Sequence, residues 1–326
     1  MARTISSALG EIFPGAEIVE MPLADGGEGT VDVVTRALGG EIHSARVCGP
    51  ICTPVDAQFG IAGDTAVIEV AQACGLQLLE ASERNPLNTT SRGVGELLLA
   101  AREQGCRNFI IGLGGTATCD GGAGMLSVPG LREAMAGASI ELLCDVDNPF
   151  LGSRGAARVF APQKGASPSD VEVLERRMAD MSARILHDTG VDVSDVPGAG
   201  AAGGLGGALM AYFGARLQGG IDRILDIIGF DKAVASADLV ITGEGKSDAQ
   251  TLSGKAPYGV LRRSGSVPVV LLSGRIENRD ALLAAGFDKV LEASPRNLPL
   301  ATLLDPSVAR SNLSAAVKAI PPNRDT

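Results

Sequence analysis

Short apolar runs alternate with amphipathic stretches along much of the chain. In the C-terminal third, the runs DLVIT (238–242), VPVVLL (267–272) and DKVLEA (288–293) are separated by stretches of helical periodicity. Nearer the middle, the apolar run NFIIGL (108–113) directly follows the amphipathic stretch GVGELLLAARE (93–103). Apolar runs of this length between helical stretches are typical of βαβ units. The pattern predicts an α/β fold built on parallel strands.

Two other regions show different patterns. Between residues 41 and 72, EIHSARVCGP, PVDAQFGI and DTAVIEVAQ are strand-like segments joined by short turns, which indicates a second domain inserted into the first. At the N-terminus, TISSALGEIF has the apolar spacing of a helix, and AEIVEMPL (16–23) is predicted as a strand. Residues 170–186 are predicted as a packed surface helix that begins after the capping residue Ser167.

Composition and charge narrow the class of protein. The 326 residues are 45% hydrophobic and 20% charged, which is ordinary for a globular protein, and the formal net charge of −10 disfavours a nucleic-acid or membrane-surface partner. The six cysteines form no CxxC pair, so zinc-site spacing is absent from the sequence. We therefore expect free thiols in a reducing compartment and a cytoplasmic location.

Four polar loops follow apolar runs and share one design, in which glycines are interleaved with acids, hydroxyls or lysine. Parallel sheets bind ligands at the carboxyl ends of their strands, where these loops are expected. Exposed backbone N–H groups bind phosphate, carboxylates hold Mg²⁺, and lysine neutralises the charge of a phosphoryl group in transfer. The four loops are ADGGEGT (24–30), GLGGTATCDGGAG (112–124), CDVDNPF (144–150) and ITGEGKSDAQTLSGK (241–255).

Together, these loops contain the residue types needed for ATP-dependent phosphoryl transfer. The chain has no GxxxxGK[ST] motif, so it is not a P-loop kinase. For each loop a structural role remains an alternative: ADGGEGT can be a tight turn, CDVDNP an Asx-turn before proline, and the lysine of PQKG (162–165) a solvated turn residue.

Seven strings occur in order along the chain: ADGGEGT, GGTATCDGGAGML, CDVDNPFLG, FAPQKGAS, GAGAAGGLGGAL, ITGEGKSDAQTLSGKAP and EASPRNLPL. From about residue 11 to 300, they resemble the bacterial glycerate kinases of the first type. The resemblance implies an α/β protein with a Rossmann-like parallel-sheet domain (1–40 and 230–326), an inserted second α/β domain (41–229) and an active-site cleft between them. It also implies transfer of the ATP γ-phosphoryl group to D-glycerate, giving 2-phosphoglycerate in most members, with Mg²⁺.

Residue type and position within these loops give candidate roles, with Asp25 or Asp248 as the base for the glycerate hydroxyl and Arg296 as a clamp for its carboxylate. The candidates are catalytic Asp25, Asp248 and Lys255; substrate-binding Glu28, Arg296, Thr251 and Ser253; phosphate- or nucleotide-binding Gly114, Gly115, Thr116, Thr118, Lys164, Gly243 and Glu244; and metal-binding Asp145 and Asp147.

The chain also departs from the family pattern. The family begins with a strand and a PDSFKG-like loop, whereas this chain opens on what resembles the following helix, so we expect it to be N-terminally truncated relative to the family. Ser247 stands where an aliphatic residue is usual. Two alternatives follow: a non-catalytic homologue that binds nucleotide or a sugar acid, and a kinase for another small hydroxy acid. A homodimer is a further expectation.

Overall fold

The computed structural model describes residues 1–320. The chain divides into two compact units: a smaller one formed by Met1–Leu23 and the chain from Ile228 onward, and a larger one formed by Ala24–Ile227. The described α-helices are α1 (Ala2–Ile12), α2 (Thr30–Ala37), α3 (Ala71–Cys74), α4 (Arg92–Glu103), α5 (Ala123–Leu126), α6 (Leu131–Ala134), α7 (Ala156–Phe160), α8 (Pro168–Thr189), α9 (Leu205–Phe213), α10 (Gly220–Ile227), α11 (Phe230–Val234), α12 (Ala256–Arg263), α13 (Arg279–Ala284), α14 (Leu300–Leu303) and α15 (Pro306–Lys318). The strands are β1 (Glu41–Cys48), β2 (Pro54–Ala62), β3 (Thr65–Glu69), β4 (Asn108–Gly112), β5 (Ser139–Leu143), β6 (Arg216–Gln218), β7 (Val240–Ser247), β8 (Val269–Ile276) and β9 (Lys289–Glu292).

The larger unit is built on one mixed sheet in the order β1-β2-β3-β4-β5-β6. The first three strands are antiparallel neighbours, and β3 to β6 are parallel. This confirms the β-rich segment and the parallel strands that the sequence predicts. Helix α2 packs against β2 and β3, so residues 24–40 lie in the larger unit, whereas the sequence-based division assigned them to the other domain.

The smaller unit holds the parallel sheet β7-β8-β9. Alternate residues of β8 enter different apolar clusters: Val270 and Leu272 pack with Ile5 and Val317, whereas Val269 and Leu271 pack in a second cluster. A strand covered on both faces has a continuous apolar sequence, as VPVVLL does. Helix α1 packs against α15, and its Ile5 and Ala8 share an apolar cluster with Val270 and Leu272 of β8.

Capping chemistry sets the start of the long helix α8. Ser167 accepts a hydrogen bond from the backbone N–H of Asp170, and the Asp170 carboxylate accepts one from the backbone N–H of Ser167 at 2.9 Å. This reciprocal pair satisfies two backbone donors that lack partners inside the helix. The helix ends at Gly190, whose φ is 75°. The predicted helix and its N-cap are confirmed.

Two predictions are wrong. Residues 16–23 pair with no described strand, and Glu17, Val19 and Glu20 are exposed, so the extended apolar pattern there does not become a strand. The segment 243–247 was predicted as the start of a polar loop, but β7 continues through it because β8 offers a partner at four of its five positions. Glu244 lies opposite Ser273 and Lys246 lies opposite Arg275.

No helix within residues 1–320 has both the length and the apolar character that crossing a bilayer requires.

Candidate functional site

In the larger unit, the predicted site residues gather where parallel strands end. Glu69 ends β3, Gly112 ends β4 and Leu143 ends β5, and these three residues are register partners in the ladder. The polar loops that follow Gly112 and Leu143 therefore start at one edge of the sheet, as the sequence predicts. Carboxyl ends of parallel strands are where α/β proteins commonly bind their ligands.

The turn that carries Asp25 and Glu28 lies against the same edge. The carbonyl oxygen of Gly26 accepts a 3.0 Å hydrogen bond from the backbone N–H of Gly114. Gly26 has a φ of +92°, and a Cβ atom there would lie 2.6 Å from the Leu143 carbonyl oxygen. Only glycine fits this conformation and this close approach. The two glycine-rich segments are therefore in direct backbone contact.

Lys164 is buried behind the glycine-rich loop, at 4% exposure. Its Nζ donates hydrogen bonds to the Thr116 hydroxyl at 3.0 Å and to the Thr118 carbonyl oxygen at 2.7 Å. Burial lowers the pKa of this ammonium group, because removal from water disfavours the charged form. Lys164 thus ties two of the predicted phosphate-binding residues together, and both threonines are buried. Gly115 is exposed.

Asp120 supports the far end of the same loop. Its carboxylate accepts hydrogen bonds from the backbone N–H and hydroxyl of Ser91, at 2.8 and 2.9 Å. It also accepts from the backbone N–H groups of Gly122 and Gly124, at 3.0 and 3.1 Å. A carboxylate that accepts four hydrogen bonds from its own chain fixes the loop conformation.

The two predicted metal-binding acids have separate partners. The Asp145 carboxylate accepts a 2.8 Å hydrogen bond from the backbone N–H of Gly220, at the start of α10. The Asp147 carboxylate instead pairs with Arg154 at 2.7 Å, in an exposed ion pair. Of the two, Asp145 lies closer to the Asp25 turn: a Cβ atom at Gly220 would lie 3.0 Å from its Oδ2 atom and would also touch the Asp25 carbonyl oxygen.

Several groups act on the Asp145 carboxyl. Its pKa is raised to about 6, mainly by burial; the carboxylates of Asp25 and Asp222 add to the rise, and hydrogen bonds from the backbone N–H groups of Gly220 and Ile221 oppose it. The residue keeps an exposed surface, so water still stabilises part of its charge.

Among the described residues, no group of three or more histidine, cysteine, aspartate or glutamate side chains could hold a metal ion by itself. Mg²⁺ commonly uses one or two carboxylates and completes its shell with water and substrate phosphates. Asp145 with Asp25 nearby fits that pattern, whereas Asp147 is engaged with Arg154.

In the smaller unit, the Glu244 carboxylate accepts hydrogen bonds from the hydroxyl groups of Thr251 and Ser247, at 2.6 and 2.9 Å. The Ser247 hydroxyl also lies 2.5 Å from the Ser273 hydroxyl of β8. Glu244, Ser247 and Ser273 come into contact because β7 extends along β8. Gly243 belongs to the same strand, and a Cβ atom there would collide with the Leu272 carbonyl oxygen.

Two lysines surround Asp248, the residue after β7. Lys246 Nζ lies 3.6 Å from its carboxylate and 3.1 Å from that of Glu277. Lys255 Nζ lies 4.0 Å from Asp248 and 3.8 Å from Glu244. The Asp248 carboxylate also accepts a 2.9 Å hydrogen bond from the backbone N–H of Gln250, which starts a short 3₁₀ turn. The structure therefore brings Glu244, Asp248, Thr251 and Lys255 together.

Arg296 is exposed and forms a bidentate pair with Glu292, at 3.0 and 2.9 Å. This pairing raises the pKa of the guanidinium group. Its Nε and Nη2 atoms are thus engaged with an acid of its own chain. The Ser253 side chain, predicted to bind substrate, lies outside the described parts of the structure.

The predicted residues thus fall into two groups, one in each unit. Glu69 was missed by the sequence analysis, although an acid at the end of the apolar run TAVIE was a usable signal. Ser273 was also missed, and its position at the end of VVLL was a similar signal.

Comparisons with known proteins agree with the motif order. The model of the glycerate kinase family matches residues 1–133 and 126–321. A glycerate kinase of Bacillus subtilis strain 168 is 42% identical, and the match covers 92% of this chain and 87% of that protein. A glycerate 2-kinase of Escherichia coli K12 is also 42% identical, with 85% and 81% covered.

A solved structure gives the same result. A crystal structure described as that of glycerate kinase 2 from Salmonella typhimurium LT2 has a TM-score of 0.80 and 38% sequence identity. The similarity covers 97% of this chain and 90% of that chain. The chain therefore belongs to the glycerate kinase family and is a kinase.

Proposed function

We propose that this protein transfers the γ-phosphoryl group of ATP to a hydroxyl group of D-glycerate, with Mg²⁺, and that the product is 2-phosphoglycerate. Relatives named glycerate kinase and glycerate 2-kinase, at about 42% identity, support the substrate class. The structural observation that carries the proposal is the backbone contact between the Asp25 turn and the Gly112–Gly115 segment at the end of parallel strands.

The glycine-rich segment is proposed to bind phosphate mainly through its backbone. Gly115 is exposed, whereas Thr116, Thr118 and Lys164 are buried. The two threonines and Lys164 therefore hold the loop in shape. The Gly114 N–H is engaged with the Gly26 carbonyl oxygen, so the backbone N–H of the exposed Gly115 is the proposed donor to a phosphate oxygen. A rigid donor set stabilises developing charge without reorganisation during the reaction.

Asp145 is the favoured residue for holding Mg²⁺, with Asp25 as the second acid. When bound, Mg²⁺ would neutralise phosphate charge. Asp25 lies on an exposed turn, and its backbone touches the Gly220 region where Asp145 is bound. Asp147 remains a prediction from sequence, and its pairing with Arg154 argues against a role as ligand.

In the smaller unit, Asp248 is proposed as the acceptor of the glycerate hydroxyl proton, with Lys255 as a neighbouring cation. Glu244 and Thr251 are linked by a short hydrogen bond, which helps to hold this group of side chains in place. Glu28, Gly243 and Ser253 keep the substrate- and nucleotide-binding roles predicted from sequence. For Arg296 to clamp the glycerate carboxylate through Nε and Nη2, that carboxylate must replace Glu292.

The experiment is ADP release from ATP by the purified chain, measured with D-glycerate, with other small hydroxy acids and without any acid. D-Glycerate is expected to give the highest turnover, and removal of Mg²⁺ by a chelator is expected to abolish it. Turnover that is equal with and without every acid would refute the proposal. Higher turnover with a different hydroxy acid would support the kinase activity but reject D-glycerate as the preferred substrate.

A further inference from the structure

Glu69 is a buried carboxylate that none of the proposed catalytic steps uses. It is 2% exposed and ends β3, beside Gly112 in the register of the sheet. A buried acid is costly unless hydrogen-bond donors satisfy its oxygens. The groups that donate hydrogen bonds to Glu69 therefore show which segment of the chain it holds in place.

Those donors come from the start of α2. The Glu69 Oε1 atom accepts a 2.7 Å hydrogen bond from the backbone N–H of Val31. Burial raises the pKa of Glu69, hydrogen bonds from the backbone of Val31 and Gly29 and from the Gln72 side chain lower it, and the nearby Glu28 carboxylate raises it. Glu69 thus binds the chain on the C-terminal side of the Asp25 turn.

The turn has an anchor at each end. On its N-terminal side, the Gly26 carbonyl oxygen accepts the hydrogen bond from Gly114. On its C-terminal side, Glu69 holds Val31, and the Thr30 hydroxyl donates a 2.7 Å hydrogen bond to the Gly27 carbonyl oxygen. Glu28 lies between these anchors, and Asp25 directly precedes the first; both are exposed. The Asp25 carboxylate accepts a 3.2 Å hydrogen bond from the backbone N–H of Gly27, within the anchored turn. Their placement therefore depends on a side chain 38 residues away from Val31 in the sequence.

We propose that Glu69 is a positioning residue for the reaction, because it fixes the turn that presents Asp25 and Glu28. This inference rests on the proposed function for its kinetic consequence. Catalytic geometry is sensitive to shifts of about 1 Å, which can change rates by about 100-fold. Glu69 itself is buried and is assigned no contact with substrate.

The first arm of the test is independent of activity. Hydrogen exchange by mass spectrometry is compared in the wild type, Glu69→Gln and Glu69→Asp. The Glu69 carboxylate accepts from Val31, Gly29 and Gln72, whereas a Gln amide has one acceptor oxygen and an Asp carboxylate is shorter. Peptides covering residues 25–31 are therefore expected to exchange at least several-fold faster in both variants, while peptides of β4 and β5 keep their protection. Unchanged exchange in residues 25–31 would overturn the proposal. Glu69→Asp serves as the second variant if Glu69→Gln does not fold, because it keeps the charge and shortens the reach.

Glu96 provides a matched control. Its Oε2 atom accepts a 2.7 Å hydrogen bond from the backbone N–H of Cys48, in the same unit. Glu96→Gln removes the charge of a second carboxylate that binds a distant backbone N–H. Residues 25–31 are expected to exchange as in the wild type in this variant. Equal loosening of residues 25–31 in Glu96→Gln and Glu69→Gln would indicate a general loss of stability and overturn the specific role.

The second arm is kinetic and uses Glu28→Gln. Glu69→Gln is expected to lower kcat/KM for D-glycerate by about 10- to 100-fold. If Glu69 acts through the turn, the double variant Glu28→Gln/Glu69→Gln is expected to be little worse than the poorer single variant. Effects that multiply would contradict action through Glu28. A wild-type protein without turnover would reject the proposed function alone, because the exchange arm still decides the positioning role.

Discussion

The Nζ atom of Lys164 donates a 2.7 Å hydrogen bond to the Thr118 carbonyl oxygen, and Lys164 is almost fully buried. The sequence offered this lysine as a phosphate-binding residue or as a solvated turn residue. Its burial excludes the solvated alternative. Its contacts make it a support of the glycine-rich loop, and direct contact with phosphate stays a prediction.

Lys164→Met is expected to lower turnover by at least about 10-fold, because an unsupported loop no longer holds its donors in place. The unfolding temperature is expected to fall by only a few degrees. The variant loses two hydrogen bonds, each worth about 1 kcal/mol, but it also removes the cost of burying an ammonium group. Turnover and thermal unfolding are measured together. The matched control is Lys232→Met, which removes an exposed lysine of α11; unchanged turnover in Lys164→Met would contradict the supporting role.

Asp145 predicts a pH dependence of stability. Its pKa is raised from 3.8 to about 6 in the folded protein, so the folded state holds a proton that the unfolded chain releases between these values. The stability gained from this proton is fully present below pH 3.8 and is lost as pH rises through about 6. The wild type is therefore expected to lose stability relative to Asp145→Asn across this window.

The measurement is thermal unfolding of both proteins at several pH values on each side of the window. Asp147→Asn is the control, since its carboxylate lies two residues away and pairs with Arg154. A stability difference between the wild type and Asp145→Asn that does not vary with pH would show that the pKa is not raised.

Asp248→Asn is expected to lower kcat by about 100-fold or more, because general-base catalysis contributes about 10²- to 10⁴-fold. Asparagine can still accept the hydrogen bond from Gln250, so the local 3₁₀ turn is expected to persist. Glu277→Gln is the matched control, because Glu277 also pairs with Lys246. ADP release reports the outcome, and full activity in Asp248→Asn would rule it out as the base.

The sulfur atoms of Cys48 and Cys52 lie 3.0 Å apart at the turn between β1 and β2, and Cys52 is exposed. A thiol oxidant such as diamide is expected to join them, with loss of both thiol hydrogens to the oxidant. Cys74 and Cys119 are buried, where the oxidant does not reach them, so these two are expected to stay reduced. Peptide mass spectrometry tests this, with Cys52→Ser as the control; recovery of both thiols unoxidised would contradict it.

Most helices and strands could be predicted because their signals are local. Helix α4 buries Val94, Leu97 and Leu98, as the amphipathic pattern of residues 93–103 predicts, and the cap of α8 lies within four residues. The predicted strand at 16–23 failed because a strand also needs a partner, and local pattern does not supply one. The extension of β7 through Ser247 was missed for the converse reason, since the partner residues in β8 lie about 30 residues away.

In the candidate site, too, local sequence features could be predicted and long-range contacts could not. Glycine-rich loops at strand ends were identifiable from motif and order, so Asp25, Gly114, Asp145, Glu244 and Asp248 could be named from sequence. The contacts that decide their roles join distant parts of the chain: Lys164 binds Thr116 across 48 residues. Arg296 was a candidate clamp by residue type, but its pairing with Glu292 appears only in three dimensions. The homodimer and cytoplasmic location stay predictions.

Phosphoryl transfer from ATP to D-glycerate is tested most directly by phosphorus NMR of a reaction containing this protein, ATP, Mg²⁺ and D-glycerate. We expect the ATP γ-phosphate signal to decline while a phosphate ester on the C2 hydroxyl of glycerate appears, and neither change without D-glycerate. ATP that stays intact with D-glycerate present, in a sample where the folded protein binds ATP, would contradict the claim and favour a non-catalytic binding protein.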